Sequence, residues 1–100
     1  MSVDMIVRRN GYYSDPRLIP LRKEGVTLLK KHGAVSHRFG FYHSGAYAGQ
    51  IVVVLTYPDL ATYERAMKGM SEDADWKRIG AEVEKIAPIQ ESYLTITEDQ

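Results

Sequence analysis

One hundred residues, 44% hydrophobic and 26% charged, make one globular domain spanning 1–100 with a single modest core, and they exclude a disordered chain. The absence of cysteine excludes disulfides, thiolate nucleophiles and Cys-based metal sites. Thirteen basic residues balance thirteen acidic ones; nucleic-acid binders are normally net basic, so nucleic acid is not an expected partner. Residues 1–50 hold eight of the Lys/Arg against Asp4, Asp15 and Glu24, and this asymmetry is expected to be met by the acidic second half packing beside the first. The N-terminus lacks a basic stretch followed by an apolar one. The longest apolar run, Ile51 to Leu55, is far too short to span a membrane. A cytoplasmic location without membrane association is therefore expected.

In chain order, Val3 to Arg9 reads as a strand, with Val3, Met5 and Val7 on one face and Asp4, Ile6 and Arg8 on the other. Asn10-Gly11 breaks it, and Tyr12-Tyr13 follow in a loop. Ser14-Asp15-Pro16 signals a helix start. The helix is expected over about 17–32, with Leu18, Leu21, Val26, Leu28 and Leu29 as its apolar side. Pro20 has to fall in the first turn. Lys30, Lys31 and His32 suit the negative end of the helix dipole, and Gly33 is the left-handed stop. Residues 34–43 read as a second strand. Val35, His37, Phe39, Phe41 and His43 share one face, and Ser36, Arg38, Gly40 and Tyr42 share the other. The connection through Ser44–Gly49 suits a longer hairpin.

Gln50 to Tyr57 is the strongest strand signal. It is β-branched and apolar at odd and even positions alike, so both faces are expected to be buried. Pro58 stops it, and Asp59 fits the N-cap of a helix beginning near Leu60 and lined by Leu60, Tyr63, Met67 and Met70. After an acidic break at 71–75, Asp73 can cap a further helix. There Trp76, Ile79, Gly80, Val83, Ile86 and Ala87 recur at helical spacing. Pro88 ends that helix. Residues 89–97 form a last strand, with Leu94 and Ile96 opposite Glu91, Tyr93 and Thr95.

This order predicts an α+β, ferredoxin-like β-α-β-β-α-β fold. It has a four-stranded antiparallel sheet, helices on one face, and the first and third strands at the centre. Helices cover only one face of such a sheet. The other keeps half of Ile51–Tyr57 together with Ile6 and Tyr93, and one of the two sets on the second strand; Phe39 and Phe41 belong to one of those sets. Monomers rarely expose an apolar patch of that kind, so a twofold homodimer with the sheets face to face is expected.

With Ile51–Tyr57 followed by Pro58-Asp59-Leu60-Ala61-Thr62-Tyr63-Glu64-Arg65-Ala66, an acidic break before Trp76, a helix and a closing strand, nearly the whole chain resembles the dimeric α+β barrel superfamily. Its antibiotic-biosynthesis-monooxygenase-like and NIPSNAP-like branches are the most alike. The resemblance implies a dimer and a ligand cavity between sheet and helices or inside the barrel. Among its implied activities is cofactor-free oxygenation of polyaromatics. Its haem-degrading members use an Asn on the first strand, a helical Trp and a His ligand. Asn10 and Trp76 match the first two, but no histidine follows His43, so haem is not an expected cofactor and Trp76 reads more simply as core.

Other chemistries fall away. His37 and His43 share a strand face roughly 20 Å apart, too far for one metal ion. No Gly-x-Ser-x-Gly elbow is present, and Ser36 and His37 point to opposite faces. Arg38-Phe39-Gly40-Phe41-Tyr42 is similar to the aromatic signature of RNA-recognition domains but lies on the wrong strand. The remaining expectation is a small-molecule-binding dimer, taken as a cofactor-independent monooxygenase or isomerase on an aromatic or polyketide-like substrate, with no cofactor and no metal. His37 is its expected proton acceptor, and Tyr57, Tyr93, Phe39 and Trp76 are its expected substrate contacts. Tyr12, Tyr13, Tyr42 and Tyr47 are placed near the rim of an opening, and Arg8 with Glu91 as a structural ion pair. The alternative is a non-catalytic interaction or structural module with a filled, closed barrel.

Overall fold

The computed structural model describes residues 1–100. It runs β1 (Ser2–Arg9), α1 (Leu18–Lys31), β2 (Ser36–Phe41), β3 (Ile51–Tyr57), α2 (Leu60–Ser71), α3 (Ala74–Ile86) and β4 (Ile89–Thr97). The strands form one antiparallel sheet in the order β2-β3-β1-β4. The two crossovers put β3 and β1 at the centre, as the handedness of such connections requires. The expected pair of helices between β3 and β4 is present as α2 and α3. No helix is long and apolar enough to cross a membrane.

Local chemistry sets the helix boundaries. Asp59 accepts the Thr62 N–H at 2.7 Å, and Asp73 accepts the N–H groups of Asp75 and Trp76 at 3.0 and 3.3 Å. Each satisfies donors that a helix start leaves free. Asp15 instead accepts the Arg17 N–H at 3.0 Å in a turn preceding α1, so α1 begins at Leu18 and Pro20 lies in its first turn. At the other end, Gly33 has φ +110°. Its N–H reaches the Lys30 carbonyl at 3.1 Å and the Ala34 N–H reaches Leu29 at 3.0 Å. These are the two bonds of a left-handed Schellman stop.

The register decides what the alternation in β2 left open. His37, Phe39 and Phe41 pair with Leu55, Val53 and Ile51, which share the helix-covered face with Val3, Met5, Val7 and Arg9 of β1. Phe39 and Phe41 therefore point to the helix side and are not part of the open face, although Phe41, at the end of the edge strand beside Tyr13, stays half-exposed. The open face carries Ile6, Val52, Val54 and Tyr93 among Asp4, Arg8, Arg38, Thr56 and Glu91. It is more polar than a face holding both phenylalanines would be.

The core beneath the helices is divided. One cluster holds Val3, Leu29, Ala34, Leu55, Tyr57, Ala66 and Met70. A second holds Leu18, Ile51 and Ala87. Domains of this size usually form one contiguous cluster. Here the two are bridged by Val53, and both border a hollow.

Candidate functional site

The hollow is a cavity of about 360 Å³ bounded by the sheet below and by α1, α2 and α3 above. Sixteen of its 22 lining residues are hydrophobic, so an apolar ligand would be drawn from water on contact area alone. Met5, Val7 and Val53 form the floor, Leu21 and Leu29 one wall, and Trp76, Ile79 and Val83 the other.

Two glycines keep it open. Gly25 lies inside α1 and Gly80 inside α3, both on the cavity wall. A methyl group built on either meets no atom within 4 Å. Glycine inside a helix costs about 1 kcal/mol against alanine, and here the usual reason for accepting it, a close neighbour, is missing. What both positions gain is empty volume.

Four lining residues carry titratable groups: Arg9, Arg22, His37 and Glu84. Arg9 and Glu84 neutralise each other. An Arg9 Nη1 donates to Glu84 Oε2 at 3.2 Å and to the Ala87 carbonyl at 2.9 Å, and the Glu84 carboxylate also accepts the Ile89 N–H at 3.1 Å. Burial pulls the pKa of Arg9 down and Glu84 pushes it back up. This clamp ties β1 to the end of α3.

His37 and Arg22 face the cavity without such partners. Burial lowers the pKa of the His37 imidazole; its own backbone offsets this in part, and the positive charges of Arg22 and Lys30 lower it further. The ring is therefore neutral at neutral pH and has a lone pair to accept a proton. The Arg22 guanidinium carbon stands 4.3 Å above the centre of the Phe39 ring, a cation–π stack. Tyr13 stacks on Phe39 from the preceding loop at 5.3 Å between centroids and meets Phe41 edge-on at 5.2 Å.

His37, Phe39 and Trp76 line this one cavity. Tyr57 shares their face of the sheet but is fully buried in the larger cluster, outside the cavity wall. Its hydroxyl has no hydrogen-bond partner, and burial, with Tyr63 next to it, pushes its pKa up. Tyr93 pairs with Ile6 on the open face and is 53% exposed. Those two tyrosines are thus not brought together with His37 or with each other, because residues 57 and 93 fall on opposite pleats. The loop tyrosines also divide. Tyr13 joins the helix side, whereas Tyr47 covers Arg8 on the open side, with the guanidinium carbon 3.7 Å from its ring centre.

On that open side Arg8 is 7% exposed. It donates to Glu91 and to the Gln50 side-chain oxygen, the ion pair expected from the strand pairing. His32, at the end of α1, lies with Nε2 2.8 Å from Asp73 Oδ2. That contact holds the start of α3 against the end of α1, and His32 and Lys31 help to keep Asp73 ionised below the usual carboxylate range. No three His, Cys, Asp or Glu side chains converge at a spacing that would hold a metal ion.

Reading residues in sequence missed Gly25, Arg22 and the Arg9–Glu84 clamp. A glycine at the centre of an otherwise strong helix pattern was the signal available for Gly25. Arg22 and Glu84 read as ordinary surface charges until the helices are docked.

The sequence model of a family described as a domain of unknown function (DUF6854) matches residues 15–89. A search of curated proteins found no match. Among solved structures, a mutant of SnoaB, a cofactor-independent oxygenase from Streptomyces nogalater, is similar over 99% of this chain and 95% of its own, with a TM-score of 0.73 and 11% identity. A NIPSNAP family protein from Agrobacterium tumefaciens is similar over 98% of this chain and 92% of its own, at TM-score 0.69 and 16% identity. A dimeric ferredoxin-like protein from an uncultured marine organism covers 98% of this chain and 97% of its own, at TM-score 0.64 and 13% identity. At these identities the likeness establishes the fold alone, a ferredoxin-like α+β arrangement with one antiparallel sheet.

Proposed function

The chain belongs to the DUF6854 family, a domain of unknown function, and we propose that it is a small-molecule-binding homodimer acting on a planar aromatic substrate held between sheet and helices. The observation that carries this is the cavity of about 360 Å³ lined by Gly25 and Gly80. Two helix positions forgo a side chain where one would fit. A domain selected only for packing would fill that space, since each buried CH₂ is worth about 0.8 kcal/mol.

His37 is the proton acceptor in this reading, and Phe39 and Trp76 supply flat apolar surface for the ring. A neutral imidazole in an apolar site takes a proton from an acidic C–H or phenolic O–H. The resulting enolate is oxidised by molecular oxygen, converting a CH₂ to C=O with release of water. Alternatively the proton returns to another carbon, which is an isomerisation. Neither route requires a bound cofactor. The similarity of fold to a cofactor-independent oxygenase supports the oxygen-dependent route. The pairing of two chains is supported by the open sheet face with Ile6, Val52, Val54 and Tyr93 and by the dimeric ferredoxin-like neighbour.

The test is oxygen uptake with anthrone, a tricyclic ketone with an acidic C–H, comparing the protein with His37→Ala. The expected result is a rate above the buffer reaction that falls by 100-fold or more in the variant, the usual range for losing a general base. Equal rates in the two proteins would remove His37 from the chemistry.

A further inference from the structure

The charges around the cavity do not balance, and the imbalance specifies the ligand. This step rests on the cavity reading above and goes beyond it to the ligand's charge. Of the groups that line the cavity, Glu84 is the sole carboxylate, and it is already held by Arg9 and by the Ile89 N–H. The Arg22 guanidinium forms no salt bridge with any carboxylate within 4.0 Å and no side-chain hydrogen bond. Glu24, its near neighbour on α1, is paired with Arg78. His37 adds no negative charge, and Lys30 adds a further positive one nearby.

A guanidinium is planar, with its five N–H donors in the plane of the group. Phe39 takes one flat side of Arg22. The edges stay free, and they present the forked donor geometry that matches a carboxylate. A cation held half-buried on an aromatic ring at the wall of an apolar cavity is poorly solvated, and an anion completes it. We infer that the cavity takes a planar aromatic carboxylate, its rings in the apolar hollow and its carboxylate on the edge of Arg22. Arg22 is then the specificity residue that sets the ligand's orientation against His37, and a neutral ring of the same shape is the weaker ligand.

Trp76 is the only tryptophan and lines the cavity, so its fluorescence reads occupancy without any need for turnover. Titration with 2-naphthoate and with 2-naphthamide, which has the same rings and no charge, compares the two at pH 7.5. The expected result is saturable quenching by both, with naphthoate at least tenfold tighter, the low end of what a hydrogen-bonded charge contributes. Arg22→Met, which keeps an unbranched apolar stem and a good helix former, is expected to bring naphthoate down to the naphthamide value. Arg22→Lys, which keeps the charge without the fork, is expected to retain part of the preference. Equal binding of the two probes by the unaltered protein, or a preference that survives Arg22→Met, overturns the inference and leaves the cavity reading standing. Failure of both probes to bind overturns the two together.

Discussion

The two faces of the sheet are built from alternate residues of the same strands, yet they are finished differently. The helix-covered face buries Val3, Ile51 and Tyr57 completely and still encloses a hollow. The open face has no helix above it, and its most buried member is a charged residue, Arg8, sealed by Glu91, Gln50 and Tyr47. The difference teaches that burial in this small domain is not spent uniformly on stability. One face closes over empty space, and the other carries an ion pair where an aliphatic pair would pack more simply. Neither is the most stable solution available to the chain.

Substitutions on the two faces should separate these roles. The largest effect is expected from Ile51→Ala, which removes a fully buried side chain beside the hollow. A loss of about 2–5 kcal/mol in urea unfolding is expected; a loss below about 1 kcal/mol would mean the helix-covered face does not anchor the domain. On the open face, Arg8→Met should cost about 2 kcal/mol by leaving the Glu91 carboxylate and the Gln50 oxygen short of a donor. Adding Glu91→Leu should restore most of that loss, because replacing both members of an ion pair is much cheaper than breaking it. If the double variant is no better than the single one, the pair has a role beyond satisfying itself. If the chain pairs through this face as proposed, Val54→Asp should leave the fold intact but reduce the mass by light scattering from twice 11.4 kDa to 11.4 kDa, and a mass that does not change on substitution would rule out pairing through this face.

A smaller and opposite effect is expected inside the hollow. Gly25→Ala and Gly80→Ala should each stabilise the protein by about 0.5–1 kcal/mol, since the helix gains and no atom lies within 4 Å of the new methyl. Gly80→Leu, which projects further, should abolish quenching of Trp76 by naphthoate. Retained binding in that variant would show that the ligand lies away from the α3 wall.

The smallest effect concerns pH. The folded-state pKa of His37 lies below its ordinary value of 6.5, so the unfolded chain binds the proton more readily. Stability is therefore full above about pH 6.5 and declines as pH falls through the folded-state pKa. His37→Gln should flatten this part of the stability–pH curve, measured by urea midpoints from pH 7.5 downwards. A curve that keeps its slope would assign the acid sensitivity to other groups, Asp73 among them. Its lowered pKa gives stability above the ordinary carboxylate value that is lost at still lower pH.

Much of this was legible before any coordinates. The caps at Asp59 and Asp73, the stop at Gly33, the strand Ile51–Tyr57 and the shared face of Arg8 and Glu91 all depend on neighbours a few residues away or on strict alternation, and they fall where the sequence places them. Of the expected site residues, His37, Phe39 and Trp76 come together at the cavity. Tyr57 shares their face but is packed into the larger core cluster beyond the cavity wall, and Tyr93 falls on the opposite pleat.

By itself, then, the amino-acid sequence determined the order of the elements, their ends and the two sets of side chains on each strand, because backbone capping and the period-two pleat are local properties. Only the tertiary structure decided that His37 and Phe39 turn toward the helices, since that depends on the register of β2 against Leu55 and Val53. It alone revealed the hollow, because empty space arises where Gly25 of α1 and Gly80 of α3 meet one interior, and no single stretch of chain contains both. The uncompensated charge of Arg22 has the same origin: whether a cation has a partner is settled by what docks beside it.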